Sequence, residues 1–295
     1  MGVCWPRVNR LLLWVTLTAS VACRANGGSG ANGGGRGGTA ANTPGGTGGM
    51  PGGGSGGTTA AAVWMPAPRL SWQWQLTGAI DTNVDAAMFD IDLFDASPAT
   101  VAELHARGKK VICYTSAGSF EDWRPDAPNF PAVVKGKALD GWPGEMWLDV
   151  RQISALAPVM QARMDLCRSK GFDGIELDNV DGYGNDTGFP LLASDQLRYS
   201  RFLADSAHAR GLSVGLKNDL GQVPDLLAAF DWALNEQCFE FNECDLLRPF
   251  ISAGKAVFSA EYNLTAAEVC PRAAVLQFST LIKNLNLDAR REACP

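Results

Sequence analysis

Residues 171–183 read GFDGIELDNVDGY, and four carboxylates, Asp173, Glu176, Asp178 and Asp181, fall within nine of these positions. Between them stand Phe172, Ile175, Leu177 and Val180, the apolar spacing of a buried β-strand. Burying an unpaired carboxylate costs several kcal/mol, so the charge must sit where something offsets it. Alternation along a strand puts Glu176 and Asp178 on one face and Ile175 and Leu177 on the other. In a parallel barrel the apolar face packs on outer helices and the acidic face points inward. Asp178 then lies at the C-terminal mouth, the end at which barrel enzymes build their sites.

Outward from this stretch the same kind of run recurs: WQWQL (72–76), MFDIDLF (88–94), KVICYT (110–115), LSVGLKN (212–218), WALNE (232–236), AVFSAEY (256–262) and AVLQFS (274–279). Helical patterns lie between them, among them PATVAELHARGKK, SALAPVMQARMDLCRSKG, SDQLRYSRFLADSAHARG and ECDLLRPFISAGK, with glycine as the recurrent stop. Eight strand–helix units in residues 67–295 predict an α/β fold, a single (β/α)8 TIM barrel. EMWLDV (145–150) is a further strand-like piece in the long insertion after the third strand. A doubly wound open sheet is the rival, weakened because no glycine-rich phosphate loop follows an early strand.

Polar and acidic residues gather at the ends of strands far apart in sequence. Besides Asp178 these are Glu236, the group Asp90, Asp92 and Asp95, Glu261 with Tyr262, Lys217 with Asn218, and Tyr114 with Ser116. Any one acid could belong to a charged barrel layer, as a Lys217–Glu176 pair would. Their convergence predicts a site. Trp123, Trp142, Trp147 and Tyr183 in the loops are candidates for stacking on sugar faces, or for ordinary packing.

The first 66 residues have a different composition. Arg7 and Arg10 precede an apolar run, Leu11–Val21, too short to span a bilayer but suited to a secretory signal. SVAC at its end is similar to a bacterial lipoprotein signal with Cys23 as lipidation site, although Ser20 stands where leucine is more usual. Residues 1–22 are therefore read as a signal segment. Residues 23–66 hold just over half of the chain's 33 glycines and read as a flexible linker, with a reach of roughly 35 Å for about 40 residues. The expected location is the cell surface or outer membrane as a lipoprotein, or alternatively the medium. A lipid anchor would be the sole membrane contact.

Of the eight cysteines, six lie in the barrel region, an even number that favours disulfides in an exported domain. Spacing suggests Cys238–Cys244 and Cys270–Cys294, leaving Cys113–Cys167, among the 15 pairings that six cysteines allow. With no CxxC pair and two histidines in the chain, His105 and His208, a zinc site or a Ser-His-Asp triad has little material. The net charge of −6 is no footprint of a nucleic-acid binder. No metal or cofactor is expected, and the chain is read as a monomer.

Glycosidic hydrolysis ordinarily uses two carboxyl groups, one the general acid and the other a nucleophile or base. FDGIELDN is similar to the strand motif of family 18 chitinases, but the position of their catalytic glutamate is Val180 here. A longer set of blocks, WQWQL, FDIDLFD, VICYTSAGSFEDWRPDA, GWPGEMWLDVR, GFDGIELDNVDGY, GLSVGLKND, FDWALNEQCF and AGKAVFSAEY, resembles glycoside hydrolase family 114, the endo-α-1,4-polygalactosaminidases and their relatives. That resemblance implies a (β/α)8 barrel that cleaves α-1,4-linked, galactosamine-rich and cationic polysaccharide without a metal. Its catalytic pair carries over onto Asp178, as nucleophile, and Glu236, as general acid/base, with the roles open to exchange. Asp92, Tyr114, Ser116, Trp123, Glu176, Asn179, Asp181, Lys217, Asn218, Glu261 and Tyr262 are the expected substrate-binding set. Leu177 departs from a frequent proline, at a position that faces away from the mouth. The alternatives are a non-catalytic binder of a cationic glycan, a hydrolase with carboxylate-bound Ca²⁺ or Mg²⁺, and a structural surface domain.

Overall fold

The computed structural model describes residues 63–295; the expected signal segment, Cys23 and nearly all of the linker lie outside the described residues. Eight parallel strands curl into a barrel in chain order: β1 (Trp72–Gln75), β2 (Met88–Asp92), β3 (Lys110–Ser116), β7 (Gly174–Asp178), β8 (Ser213–Lys217), β9 (Trp232–Glu236), β10 (Val257–Glu261) and β11 (Ser279–Ile282). The insertion after β3 forms a separate antiparallel sheet of β4 (Ser119–Glu121), β5 (Lys135–Ala138) and β6 (Glu145–Leu148), ordered β4-β6-β5. Thus EMWLDV is a strand, but one outside the barrel.

Alternation sorts the strand side chains into two shells. Ile175, Leu177, Val214 and Leu216 face outward into a continuous apolar layer with Met164 of α2 (Ile153–Lys170) and Tyr199 and Leu203 of α3 (Ala193–His208). Each such buried side chain contributes ~1.5–3 kcal/mol. The inner shell is aromatic: Trp72, Trp74, Trp232 and Phe258 fill the lower barrel with Met88, Ile112, Leu234 and Leu281. Room for Trp232 comes from Gly215, where a Cβ would lie 2.3 Å from the indole ring.

The units are less regular than eight equal repeats. α1 (Pro98–Ala106) follows β2, but residues 76–87 after β1 form no helix. The helices after β8 and β9 are short, α4 (Val223–Leu226) and α5 (Arg248–Ser252). AVLQFS, expected as a strand, is split: its first half ends α6 (Ala266–Leu276), which the capping pair Thr265 and Glu268 opens, and Ser279 begins β11. The last barrel strand is the next segment, STLI, because the helix stops at Gln277 in the left-handed region, φ 60°.

No backbone ladder joins β1 to β11. The seam is closed by residues 287–294. The N–H of Leu76 donates to Leu287 O at 2.9 Å, Gln73 Nε2 to Ala289 O, and Arg291 Nε to Trp72 O at 2.8 Å. β12 (Glu292–Ala293) pairs antiparallel with β11, and buried Lys283 ties the same strap through the carbonyls of Asp288 and Arg290. Among the described residues three disulfides form, Cys113–Cys167, Cys238–Cys244 and Cys270–Cys294, the pairing that spacing suggested. Cys113–Cys167 ties β3 to α2 across 54 residues, a loop closure of about 4 kcal/mol in the chain-entropy account.

Candidate active site

A cleft of about 620 Å³ opens at the C-terminal mouth, with the inserted sheet as one wall and residues 285–287 as another. Its floor is set by the ends of β7, β8 and β9. Each of these strands leaves the barrel through a non-glycine residue in the left-handed region: Asn179 (φ 61°), Asn218 (φ 50°) and Gln237 (φ 62°). Such residues are uncommon and cluster where a turn has a task. Here the turn at Asn179 aims its N–H back at Asp178 Oδ1, 2.8 Å away, and Asn218 Oδ1 accepts the N–H of Glu236 at 3.0 Å. Gly118 lets the insertion approach, since a Cβ there would lie 1.7 Å from Asn179 O.

Lys217 organises the acids. Its Nζ lies 2.9 Å from Glu176 Oε1, 3.0 Å from Asp178 Oδ1 and 3.2 Å from Glu236 Oε2, and 4.7 Å above the Trp74 ring. Its side chain is 2% exposed. Burial works to lower its pKa, but the charges of Asp178, Glu176 and Glu236 together hold it well above the usual lysine range. Tyr114 donates its hydroxyl to Asp178 Oδ2 at 2.9 Å, and Tyr262 donates to Glu236 Oε1. Burial, and then the adjoining carboxylate, push both phenols well above the ordinary value, so each stays a donor. Asp178 thus meets three donors on two oxygens. Glu236 is the more open of the two, 24% exposed against 17%.

The structure brings Asp178, Glu236, Tyr114, Asn179, Asp181, Lys217 and Asn218 together around the cleft. Glu176 lies beneath Lys217, and Tyr262 reaches Glu236 from behind. Ser116 joins Asn179 Nδ2 to Ser119 Oγ. The others expected here serve different ends. Asp92 is locked onto Arg124 by two hydrogen bonds of 3.0 and 2.7 Å, part of a buried network in which Glu121 bonds Arg124 and lies by Arg163. That network pins the insertion to the barrel. Glu261 faces outward, as strand alternation requires, and accepts the N–H of Phe239, which holds the loop after β9; burial brings its carboxyl to about 7. Trp123 is half exposed and stands away from the cleft lining.

Sequence reading passed over several lining residues. Trp74 reads as barrel core, which it also is. Lys137, Asp140 and Glu145 belong to the insertion, whose antiparallel pairing brings them over the mouth. Ser119 donates to Glu145 Oε2 at 2.7 Å, yet burial still pushes that carboxyl up to about 7. Trp142 and Trp147, named as loop aromatics, line the cleft. Among the described residues no group of three or more His, Cys, Asp or Glu is arranged to hold a metal ion, and no helix is long and apolar enough to cross a membrane.

Comparison with known proteins agrees with this geometry. The profile of Glycoside-hydrolase family GH114 matches residues 55–295. Ega3 of Aspergillus fumigatus, crystallised in complex with galactosamine, is 43% identical, with a TM-score of 0.76 over 81% of this chain and 100% of that one. The glycoside hydrolase domain of PelA from Pseudomonas aeruginosa shares the fold at 15% identity, TM-score 0.63, covering 77% of this chain and 99% of its own. An uncharacterised protein of Deinococcus radiodurans is 27% identical over 228 residues, 65% of this chain and 71% of the relative.

Proposed function

The chain belongs to Glycoside-hydrolase family GH114, and from that premise we propose that it is an endo-acting hydrolase of α-1,4-linked, galactosamine-containing polysaccharide with Asp178 and Glu236 as its catalytic pair. The observation that carries the assignment is one buried lysine, Lys217, held between two carboxylates that both face the cleft. Galactosamine in the Ega3 crystal supports the sugar class. The acids on the cleft wall, Asp140, Glu145, Asp181 and Asp186, against Lys137 and Lys217, favour a cationic chain.

Asp178, ringed by donors, is suited to attack the anomeric carbon. Glu236, less tightly held, is suited to protonate the departing glycosidic oxygen. Their facing oxygens rest on one nitrogen at 3.0 and 3.2 Å, so they are separated by less than the sum of those lengths. That bound falls below the spacing of inverting enzymes, about 6.5–9.5 Å, and admits that of retaining ones, about 5–5.5 Å. In the retaining path Asp178 becomes a neutral ester as Glu236 gives up its proton and becomes anionic. Lys217, already touching both, then balances Glu236 in place of Asp178. Water deprotonated by Glu236 cleaves the ester and restores the start.

Export is part of the same reading: three disulfides suit an oxidising compartment, and the start of the chain suits a signal with Cys23 as anchor. The enzyme is taken to act as a monomer.

The test is oligosaccharide release from partly acetylated α-1,4-galactosamine polymer, followed by mass spectrometry, for the full chain and for Asp178→Asn and Glu236→Gln, with and without EDTA. Release by the wild type alone, indifferent to EDTA, is the expected result. Binding without cleavage would instead make the protein a glycan-binding module.

A further inference from the structure

Beneath the shared lysine lies a group for which the proposed reaction has no use. Asp90 stands on the inward face of β2, wholly buried, and neither of its oxygens has a hydrogen-bond donor. Its register neighbours, Trp74 on β1 and Ile112 on β3, bring it no cation. Glu176 Oε2, the oxygen not engaged by Lys217, is also without a donor. The two carboxyl groups lie within hydrogen-bonding reach of each other. Two ionised carboxylates there would be like charges in a dry interior, whereas one proton between them satisfies both.

We propose that Asp90 is a positioning residue: a buried acid that shares one proton with Glu176, so that Glu176 keeps its other oxygen on Lys217 and Lys217 stays bridged across Asp178 and Glu236. The catalytic consequence rests on the hydrolase reading; the shared proton does not. The charged groups facing Asp90 are Glu176 and Asp178 from β7 and Lys217 from β8, and Tyr114 from β3 faces the same acids as a neutral phenol. Burial, reinforced by Glu176, holds Asp90 well above the usual carboxylate range, while Lys217 opposes the rise. Burial also brings Glu176 to about 6, with Lys217 pulling the other way. The proton therefore rests chiefly on Asp90, which leaves Glu176 as the acceptor. Were Asp90 unable to donate, Glu176 would have to take a proton itself, and Lys217 would lose its shortest contact.

Two variants separate donation from bulk. Asp90→Asn offers an amide N–H to Glu176, and Asp90→Leu fills similar space with no donor. Expected is a kcat within about threefold of wild type for Asp90→Asn, and a loss of about 10- to 100-fold in kcat with KM unchanged for Asp90→Leu. Equal kcat losses in both variants, or none in Asp90→Leu, would overturn the proposal. The second readout is carbon-13 NMR of the full chain labelled at aspartate side-chain carboxyls. One resonance should keep the protonated shift at pH 7 and vanish in Asp90→Asn. If every aspartate carboxyl of the wild type has the ionised shift at pH 7, the proposal fails, whether or not Asp90→Leu folds. A wild type inert on the polymer would sink the hydrolase reading while the NMR still judges the proton.

Discussion

Strands β7 and β9 each run from one acid to another. Asp173 and Asp178 bracket the first, Asp231 and Glu236 the second, and the two ends of the barrel treat them differently. At the base every acid has partners of its own. Asp173 takes His105 at 2.8 Å, Lys110 at 2.7 Å and the N–H of Val111; Asp231 takes His208 at 2.8 Å and the N–H of Val214. Both histidines come from the same helix ending, HARG, at 105–108 and 208–211. At the mouth Asp178 and Glu236 divide one lysine with Glu176. Acids that only hold strands each have a basic side chain of their own. Acids that are to react are left with less neutralisation and an open side toward the cleft.

The largest expected effect breaks the mouth. Asp178→Asn and Glu236→Gln should each lower kcat by about 10²–10⁴-fold or more, the range of lost acid–base assistance, without lowering the thermal midpoint. Polymer cleavage and thermal unfolding, run on the same preparations, check both halves. Next is Lys217→Met, which leaves Glu176, Asp178 and Glu236 with no cation. It should remove activity and destabilise the fold by about 3–5 kcal/mol in urea unfolding. An active, stable variant would mean that the acids do not depend on Lys217.

At the base the order of effects reverses, with stability moving and catalysis not. Asp231→Ala leaves the Val214 N–H without an acceptor and should cost about 1–3 kcal/mol with kcat unchanged. The smallest effect is a pH dependence. The Asp231 hydrogen bond holds His208 above its usual pKa, against partial burial. A raised folded pKa contributes stability that is complete below the unfolded value, about 6.5, and is lost as pH rises through the folded one. The loss of midpoint in His208→Gln should therefore be largest near about pH 6 and shrink toward about pH 9. A constant gap would leave the histidine a neutral hydrogen-bond partner.

Much of this contrast is legible in the sequence, and the illegible part has physical reasons. DGIELD and DWALNE announce inward acids because strand alternation is local. Asp92 satisfies the same alternation, yet its partner Arg124 arrives from an insertion 32 residues on, which no local pattern encodes. Glu261 resembles the mouth acids only in standing at a strand end; alternation from Phe258 already places it outward. The end of α6 misleads because Ala274–Leu276 is apolar and the helix stops without a glycine, at Gln277. The pairing of β4, β5 and β6, which brings Glu145 and Trp147 over the mouth, is long-range and leaves no periodic trace.

The seam between β1 and β11 has a consequence for the order in which the molecule is made. All eight barrel strands precede the strap of residues 287–294 in the chain. During synthesis both sheet edges stay unsealed until that strap emerges. The barrel can be assembled early but is latched late.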